Sequence, residues 1–565
     1  MNNHVILCGL GELGFRTLER LRAFGDEVSV LDPNPPAAFR ARLEEWKVPL
    51  VVDEGRNPRG LRAAGILTAR AVIATTGDDL TNLSIALAAR EENPDVQLVV
   101  RLFNPRMVEK VQREIKHCRV LDVAALAAPV FAYAGLHDDV LHVIDVPGGR
   151  YLLRRWRETP PAEASLLAVR RLPRDVFGGA GAGGLGFSLA ARPTWDTLPV
   201  DNVAFAPGDE AYGLVPADQG EDDPLALVPR GTRNRARALQ RKLAAVSENS
   251  FAAVMLITVL LGAVSVELFR QSLGLSFVQS LYYVVTVMTT TGFGDISVKD
   301  SNPAMILYVT ALMAVGSLLM AALYAFVTEA LLAVRLGQFF DRRPMPQRGH
   351  FILAGLGTVG FRIAEEVQRL GHPCVALEKS DNSRLIERAR RLGVKVVVSQ
   401  DVFGAMADVN LEEARCVMTV TDDDALNLEL ALMAQERNPR GRVVVRFFDP
   451  HMAGLLERTF GIHLARSPSA IAAPAFAVAA ASEDLMDAFD LADEVWCVGR
   501  VTVAGDGGLA GRTVGSLASA SILPLALRQA GGEWSTRCPT GHALKDGDEL
   551  IVVTPYETWL QLHRG

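Results

Sequence analysis

The stretch that decides the fold is Thr289-Thr290-Thr291-Gly292-Phe293-Gly294-Asp295, which follows a short apolar run at 278–288 and lies between two longer apolar segments. A dehydrated cation is held by rings of inward-pointing backbone carbonyls, and glycine permits the left-handed angles that turn successive carbonyls the same way. A glycine-containing surface turn is the alternative, but irregular backbone at membrane depth occurs only where it is buried or lines a cavity. The pattern predicts a pore loop whose ion-binding residues are Thr290, Thr291, Gly292, Phe293, Gly294 and Asp295, with the Thr290 hydroxyl as a further oxygen at its inner end.

Two apolar segments are long enough to span the roughly 30 Å hydrocarbon core of a bilayer. The first covers 251–269, and the second covers 303–334 and contains one acid, Glu329. Basic residues precede the first segment and follow the second, whereas the loop between them carries only Arg270 and Lys299. By the positive-inside rule we expect a multi-pass protein of the cell (inner) membrane, in contact with the lipid bilayer, with both termini cytoplasmic and the pore loop facing out.

Composition argues against several classes of protein. The chain has 565 residues and a net charge of -7, which argues against a nucleic-acid partner. Its six cysteines are scattered without a C-x-x-C pair, so neither a zinc site nor a disulfide framework is indicated. No Cys–His pair, Tyr-x-x-x-Lys motif or His–acid pair stands at a predicted strand end, so we do not expect an enzyme.

The rest of the chain is an internal repeat. Each copy has an apolar, strand-like run followed by a G-x-G-x-x-G motif. The motif glycines are Gly9, Gly11 and Gly14 in the first copy and Gly355, Gly357 and Gly360 in the second. An acid follows about 20 residues later in each copy, Asp32 in the first and Glu378 in the second. A single motif of this kind is weak evidence, but two copies in the same context predict two Rossmann units.

Each motif glycine has a physical role in binding a nucleotide. The first makes a tight turn, the second lets the backbone approach a pyrophosphate, and the third lets the helix pack on the strand. The helix N-terminus then offers unpaired N–H groups to the phosphates. Asp32 and Glu378 would accept hydrogen bonds from ribose hydroxyls and disfavour a 2′-phosphate, so we expect an adenine nucleotide or NAD(H) rather than NADP. The alternative is that the glycines serve packing alone.

The pore loop and the repeats together resemble potassium channels gated by RCK domains (regulators of conductance of potassium), whose Rossmann lobes are shared with Trk- and Ktr-type regulatory subunits. The filter of that family reads Thr-Thr-Val-Gly-Tyr-Gly-Asp, so Thr291 replaces valine and Phe293 replaces tyrosine. The resemblance covers nearly the whole chain, although familiar members place both RCK units after the pore.

The resemblance implies a multidomain fold. An all-α pore domain with two transmembrane helices is joined to two cytoplasmic α/β Rossmann-type RCK domains, each followed by a small β-rich C-terminal lobe. The expected boundaries are 1–137 for the first Rossmann lobe, 138–216 for its C-terminal lobe, 217–248 for a basic linker, 249–337 for the pore domain, 338–348 for a gate linker, 349–484 for the second Rossmann lobe and 485–565 for its C-terminal lobe.

The resemblance also implies roles for individual residues. Arg101 and Arg446 match the family's arginine after the fifth strand, with a structural salt bridge as the alternative for each. Gly316 stands where the family's hinge glycine is expected, with helix packing as the alternative. Glu329 would attract cations at the inner mouth of the pore, with a solvated interfacial acid as the alternative.

Other implied features concern the two Rossmann copies. The alanine-rich runs after Pro129 and Pro474 match the family's crossover helix, which joins two lobes into a dimer. Asp401 follows the third strand of the second copy, where the first copy has Gly55 at the aligned position, so the two sites need not bind the same ligand. The family also admits a divalent cation; the acids at 78–79 and 422–424 are candidates, although carboxylates that stabilise helix starts are favoured.

One pore loop cannot close a four-fold filter, so a homotetramer that passes K+ is expected. Four chains bring eight Rossmann units, enough for a ring of two alternating kinds whose ligand-driven rearrangement would move the inner helices. A non-selective cation channel is one alternative, because Phe293 lacks a hydroxyl that could brace the filter. A component of an NAD-binding Trk- or Ktr-type uptake system is another, but that would need four pore repeats where this chain has one. An NAD-dependent oxidoreductase fused to an anchor is the third.

Overall fold

The computed structural model describes residues 2–157, 160–161, 164–171, 194–197, 209–217, 254–299, 301–336, 345–380, 384–492, 494–505 and 507–562. Contacts divide the chain into two units. One combines Met1–Asp223 with Met345–Gly565, and the other is Pro224–Pro344. The predicted linkers at 217–248 and 338–348 lie largely outside the described residues.

The first Rossmann unit is a six-stranded parallel sheet with the strand order β3-β2-β1-β4-β5-β6. Its strands are β1 (Val5–Cys8), β2 (Val28–Leu31), β3 (Leu50–Val51), β4 (Ala71–Ala74), β5 (Gln97–Arg101) and β6 (Cys118–Leu121). Its helices are α1 (Glu12–Ala23), α2 (Ala37–Trp46), α3 (Pro58–Ala63), α4 (Asp79–Glu92), α5 (Pro105–Glu114) and α6 (Val123–Ala134), with a 3₁₀ turn at Ile66–Thr68. Every residue of β1, β2 and β4 is buried, as expected for central parallel strands covered on both faces.

The second Rossmann unit repeats this topology with the order β14-β13-β12-β15-β16-β17. Its strands are β12 (Phe351–Ala354), β13 (Cys374–Glu378), β14 (Lys395–Val398), β15 (Cys416–Thr419), β16 (Arg442–Arg446) and β17 (Leu464–Arg466). Its helices are α10 (Thr358–Arg369), α11 (Arg384–Leu392), α12 (Val402–Ala407), α13 (Asp424–Arg437), α14 (Pro450–Phe460) and α15 (Pro468–Ala479), with a 3₁₀ turn at Leu411–Glu413. The repeat read from the two glycine motifs is therefore a repeat of the fold.

A five-stranded antiparallel sheet follows each Rossmann unit. The first has the order β10-β9-β11-β8-β7 and the second the order β18-β19-β22-β20-β21. The strands are β7 (Val140–Val146), β8 (Gly149–Trp156), β9 (Ser165–Arg171), β10 (Thr194–Thr197) and β11 (Glu210–Pro216), then β18 (Leu485–Leu491), β19 (Glu494–Thr502), β20 (Leu523–Arg528), β21 (Trp534–Ser535) and β22 (Glu549–Pro555), with a 3₁₀ helix at Val514–Ala520 and a final helix α16 (Tyr556–Leu562). The two lobes pack on each other, since Ile144 and Leu153 share one buried cluster with Phe489 and Trp496.

The two Rossmann units exchange their last helices. Helix α6 is apolar on almost all sides, and its Phe131 is buried with Phe361 of α10 in the second unit. Helix α15 does the reverse, because its Phe476 is buried with Leu18 of α1 in the first unit. A helix without a polar face has to be covered all round, and the exchange provides that cover. The predicted crossover helices therefore join the two copies within one chain.

The described residues of Pro224–Pro344 form three helices and the pore-loop stretch. They are α7 (Val254–Leu273), α8 (Phe277–Met288) and α9 (Pro303–Leu336). Two helical spans, Val254–Leu273 and Pro303–Phe326, are long and apolar enough to cross a membrane. Helix α8 begins with a capping box between Ser276 and Gln279 and packs through Tyr283 against Phe269. The predicted fold class, two parallel Rossmann sheets with β-rich lobes and a two-helix pore domain, is confirmed.

Candidate functional site

The pore-loop stretch leaves α8 with an irregular backbone. Gly292 and Gly294 have φ values of +49° and +80°, in the left-handed region that favours glycine. Thr290 also has a positive φ of +61°, which is strained for a β-branched residue. The N–H groups of Thr291 and Gly292 both donate to the Thr286 carbonyl, at 3.0 and 3.2 Å. These two bonds tie the loop to the end of its own helix, and its role as a carbonyl-lined ion site stays a prediction.

The predicted hinge, Gly316, lies inside the continuous helix α9 and faces α8. A Cβ added at Gly316 would lie 3.0 Å from Met288 Cγ and 3.1 Å from its Cα. Met288 is the last residue of α8, directly before the pore-loop stretch. The contact supports the packing interpretation of this glycine, while its role as a hinge stays a prediction. Glu329 lies on α9, but its side chain is outside the described part of the structure.

The glycine motif of the first Rossmann unit has the geometry that each glycine was expected to provide. Gly9 has a φ of +97°. A Cβ at Gly14 would lie 2.0 Å from the Gly9 carbonyl oxygen, so only glycine lets α1 pack this close to β1. At Gly11 no atom lies within 4 Å of an added Cβ, so the start of α1 is open to a ligand. Gly11 caps α1 without a side-chain hydrogen bond, which leaves that terminus free to bind an anion.

The acid predicted to bind a ribose in the first unit lies beside this motif. Asp32 follows β2 directly, and its Oδ2 accepts a 2.6 Å hydrogen bond from the Leu10 N–H. Its Oδ1 accepts a 2.7 Å hydrogen bond from the Asn34 N–H. These two bonds fix the carboxylate next to the glycine loop, where it can accept further bonds from a ribose.

The second unit repeats this arrangement. Gly355 has a φ of +100°, a Cβ at Gly360 would lie 2.1 Å from the Gly355 oxygen, and the space around Gly357 is open. Glu378 Oε2 accepts a 2.8 Å hydrogen bond from the Leu356 N–H. Both copies therefore keep the same local frame for a nucleotide.

The helix after the third strand gives a different match for Asp401 than the sequence alignment, which paired it with Gly55. Asp401 caps α12, where its Oδ1 accepts a 2.9 Å hydrogen bond from the Gly404 N–H. The residue that caps the equivalent helix α3 is Asn57. By position before the helix, Asp401 thus corresponds to Asn57 rather than to Gly55, because the first copy has a longer loop between its short β3 and α3. Gly55 instead lines the cavity described next.

A cavity of about 640 Å³ opens over the carboxyl ends of the first sheet, a size typical of nucleotide and drug-sized ligands. Residues of the first copy form most of it. They include Gly9, Gly11, Asp32, Gly55, Thr76 and Arg101. The second copy also contributes, with Arg446, Phe448 and Ser469. Arg446, which the sequence suggested for the second site, thus lines the cavity of the first.

Neither of the two predicted arginines forms an ion pair in the described part of the chain. Arg101 Nη1 donates a 3.2 Å hydrogen bond to the Thr76 carbonyl. Arg446 lies over the Phe448 ring, 4.6 Å from its centroid. Burial lowers the pKa of both guanidinium groups, and the nearby Arg101 lowers the pKa of Arg446 further, against the opposing effect of Asp422 and Asp424. Two neighbouring cations that are partly desolvated in this way favour the binding of an anion.

The acids considered as ligands of a divalent cation accept hydrogen bonds from backbone N–H groups. Asp78 caps α4 and accepts a 2.7 Å hydrogen bond from the Thr81 N–H, and Asp423 caps α13 in the same way. Asp79 accepts hydrogen bonds from the N–H groups that follow β5, and Asp424 does so after β16. The described residues contain no group of three His, Cys, Asp or Glu that could hold a metal ion. A divalent-cation site stays a prediction of the resemblance alone.

Three features of these sites were not found from the sequence. The approach of Arg446 and Phe448 to the first cavity depends on how the two copies dock, which no local motif encodes. The contact of Gly316 with Met288 depends on the crossing of α8 and α9. The positive φ of Thr290 could not be predicted from its residue type, because threonine rarely takes that conformation.

Comparison with known families agrees with this architecture. The family model of the TrkA-N domain matches residues 5–119 and again 351–468, and the family model described as ion channel matches residues 254–333. Together these matches cover more than half of the chain. The chain thus contains two TrkA-N domains, one on each side of an ion-channel domain, and the predicted resemblance is confirmed.

Individual relatives are distant and partial. Potassium channel protein 1 of Methanocaldococcus jannaschii is 24% identical over 190 residues, which is 31% of this chain and 54% of that protein. The Trk system potassium uptake protein TrkA of Mycobacterium tuberculosis is 30% identical over 119 residues, 20% of this chain and 52% of that protein. The chain spans about half the length of these two curated relatives. A solved structure of the GsuK channel bound to NAD aligns with 100% of this chain and 79% of its own, at 12% identity and a TM-score of 0.48.

Proposed function

We propose that this chain, in which two TrkA-N domains flank an ion-channel domain, forms a homotetrameric potassium-selective channel gated by an adenine nucleotide or NAD(H). The observation that carries the proposal is the pore loop, where left-handed Gly292 and Gly294 follow α8. Such a backbone turns successive carbonyls toward one axis, and four chains are needed to close the ring. The name of the relative potassium channel protein 1 supports K+ as the permeant ion.

Flux through the purified protein in liposomes tests this proposal. We expect K+ flux that greatly exceeds Na+ flux, and we expect Gly292→Ala to abolish it. The space around Gly292 is open within the chain, so the loss would come from its φ of +49°, which alanine resists. Gly274, which also has a positive φ but lies outside the pore loop, provides a control, because Gly274→Ala should leave selectivity unchanged.

A non-selective cation channel is the second candidate, and Phe293 favours it. Its ring stacks on Tyr282 of α8 at 6.3 Å between centroids, and it has no hydroxyl to donate a brace to its surroundings. A filter that lacks a hydroxyl brace at this position is easier to widen. Equal K+ and Na+ flux through the unmodified protein would establish this candidate over the first.

The nucleotide cavity supports the gating part of the proposal. In each Rossmann unit the ligand would lie on the helix N-terminus with its ribose on Asp32 or Glu378. Eight such units in a tetramer form a cytoplasmic ring, and the second unit follows α9 after only the short gate linker 338–348. A ligand that binds one ring shape more tightly than the other would therefore move α9, in proportion to that difference in affinity.

The expected orientation and the absence of catalysis belong to the same proposal. Both termini would be cytoplasmic in the cell membrane, because the basic flanks of α7 and α9 stay on that side. The bound nucleotide would act as a regulator, so incubation with the purified tetramer should return it chemically unchanged. Oxidation or reduction of NAD(H) under these conditions would favour the oxidoreductase alternative.

A further inference from the structure

The two C-terminal lobes contact each other through equivalent positions of the repeat. Strands β7 and β18 each have a bulge before their third residue, which is His142 in β7 and Asp487 in β18. The side chains of these two residues meet, with His142 Nε2 2.8 Å from Asp487 Oδ2, and both are largely buried. One position of the repeat thus faces itself across the contact, and it carries a histidine in one copy and an acid in the other.

The first copy places further basic side chains against β18. Arg20 of α1 pairs with Asp490 at 2.9 Å. Arg119 of β6 donates a 3.3 Å hydrogen bond to the Met486 carbonyl, next to Asp487. Burial lowers the pKa of the Arg119 guanidinium, and the nearby Asp487 acts against this shift. Together with the histidine of β7, the first copy therefore supplies three basic side chains to the acids of the second lobe.

The equivalent positions of the second copy carry none of these basic side chains. Glu366 is the ninth residue of α10, as Arg20 is the ninth residue of α1. Leu464 replaces Arg119, since each of them pairs with the third residue of the preceding strand, β16 in one copy and β5 in the other. The strand position of the histidine carries an acid, as described above. A second copy could therefore not do for β18 what the first copy does.

Glu366 in turn is paired by the first lobe. It is buried, and Arg150 of β8 forms an ion pair with it. Arg150 is the second residue of β8, whereas the second residue of β19 is Val495. The other partner of Glu366 is Arg369 of its own helix, 2.6 Å away and more than half exposed. The second lobe thus has no residue at the position of Arg150 that could pair with Glu366.

Docking of one second copy on another in this geometry would bring acids together. Glu366 would face Asp490, and Asp487 would face its own counterpart. Like charges at a partly desolvated contact disfavour the wrong partner, and complementary charges select the right one. The exchange of α6 and α15 supplies the apolar part of the docking contact in both copies, so the charges are what distinguishes one copy from the other.

We propose that the docking face of the second Rossmann copy and its lobe is specific for a first copy of this protein and rejects another second copy. Every chain contributes one copy of each kind. Exclusion of contacts between two second copies is therefore enough to leave each first copy docked on a second one. This proposal concerns assembly, and it does not depend on which ion or nucleotide the protein binds.

Thiol cross-linking of the full-length protein in detergent tests which copies meet. His142→Cys and Asp487→Cys are combined in one chain, which leaves the contacts of Arg20 and Arg119 in place. After treatment with a short bifunctional thiol reagent, mass spectrometry identifies the linked peptides. We expect links between positions 142 and 487 and none between two copies of position 487. The unmodified protein gives the background from its own six cysteines.

Substitutions that give the first copy the acids of the second test whether charge is the cause. Arg20→Glu and His142→Asp should each lower the unfolding temperature and speed hydrogen exchange in β7 and β18 about 10-fold or more, as expected for like charges at such a contact. Reversing each pair, by adding Asp490→Arg or Asp487→His, should restore part of the loss. Arg42→Glu is the control, because it changes an exposed pair within α2 and should have little effect.

Two results would overturn the proposal. Links between two copies of position 487 that are as frequent as links between positions 142 and 487 would remove the specificity itself. Arg20→Glu and His142→Asp that behave like Arg42→Glu would remove charge as its cause. If either single variant does not fold, the reversed pairs decide, and reversed pairs that recover no stability count against the proposal.

Discussion

In each Rossmann unit, one motif glycine is required for packing and another faces open space where a ligand would bind. Gly14 and Gly11 lie three residues apart in one motif, yet a Cβ at Gly14 would meet the Gly9 oxygen at 2.0 Å, whereas one at Gly11 would meet no atom within 4 Å. One position is therefore closed by the protein's own backbone, and the other is kept open for a ligand. The second unit has the same contrast between Gly360 and Gly357.

This contrast gives a prediction about paired substitutions. Gly14→Ala should destabilise the first unit by about 2 kcal/mol, the typical cost of forcing extra volume into a tightly packed site. Gly11→Ala should leave stability within about 0.5 kcal/mol, as for substitutions away from such contacts, but weaken ADP binding, because the methyl group occupies the approach of the phosphates. Thermal unfolding and calorimetry on the same preparations measure the two effects. Equal losses of stability in both variants would refute the division of roles.

At the scale of elements, the close crossing of α8 and α9 connects the pore-loop helix to the inner helix. Gly316 is one point of contact, where it lies against Met288 of α8 directly before the pore-loop stretch. The hinge role and the packing role of Gly316 lead to different predictions for its substitution. Loss of a hinge changes how often the pore opens, whereas added volume at a packing contact displaces α8 and the loop that it carries.

We therefore predict that Gly316→Ala alters ion selectivity or abolishes conduction, because its Cβ would press on Met288 at about 3 Å. Met288→Ala, combined with Gly316→Ala, should restore part of the lost selectivity by making room. Single-channel recording with K+ and Na+ on opposite sides measures both properties. Unchanged selectivity with a lower open probability would instead favour the hinge.

Among the described residues, an ion pair to the cap of an exchanged helix occurs in one half of the exchange and not in the other. Arg362 of α10 pairs with Asp122, the capping residue of α6, at 2.8 Å, and both side chains are largely buried. Its counterpart Arg16 pairs with Glu12 and Glu19 of its own helix. In the repeat, the residue that matches Asp122 is Ser467, which caps α15 and carries no charge.

Arg362→Met should therefore destabilise the cytoplasmic unit by about 3 kcal/mol, because it leaves the buried Asp122 carboxylate unpaired. Arg16→Met serves as the control and should cost less than about 1 kcal/mol, as for a solvent-accessible pair within one helix. Thermal unfolding in detergent compares them. An equal loss of stability in Arg16→Met would show that the ion pair between α10 and α6 contributes no more than a pair within one helix.

The sequence predicted elements better than it predicted their docking. The glycine motifs, the acids at the ends of the second strands and the capping aspartates could be located from the sequence, because each depends on backbone geometry within one strand–turn–helix unit. The cap of the helix after the third strand matches Asp401 to Asn57 instead of Gly55, because the loop between β3 and α3 is longer in the first copy and the residue pattern gives no signal of that length. The position of Arg446 could not be derived from its own copy, because the exchange of α6 and α15 sets which arginine faces which cavity.

At the scale of the whole molecule, the two Rossmann copies differ in how they are connected to the pore. The gate linker after α9 is short, whereas the chain between the first C-terminal lobe and α7 is longer. We therefore expect a rearrangement in the second copy to be transmitted to the inner helix more directly than one in the first. The first copy, with its shared cavity, would mainly stabilise the docked pair.

We predict that Glu378→Ala changes ligand-dependent gating more than Asp32→Ala does. Asp32→Ala should instead reduce the thermal stabilisation that ADP gives to the docked copies. Single-channel recording during nucleotide titration, together with thermal unfolding, distinguishes the two effects. Loss of the gating response in Asp32→Ala with a normal response in Glu378→Ala would reverse the assignment.

The exchange of α6 and α15 also has a consequence for synthesis on the ribosome. Helix α6 is complete long before α10, which covers it, because both membrane helices are translated in between. Roughly 200 residues separate them, so at 5–20 residues per second the apolar surface of α6 waits about 10 to 40 s for its partner. During that interval the first half of the nascent chain exposes the apolar surface of α6 while the membrane helices are being inserted. A chaperone that shields α6, or a slow translation rate through the linker, would decide how much of the newly made protein assembles correctly.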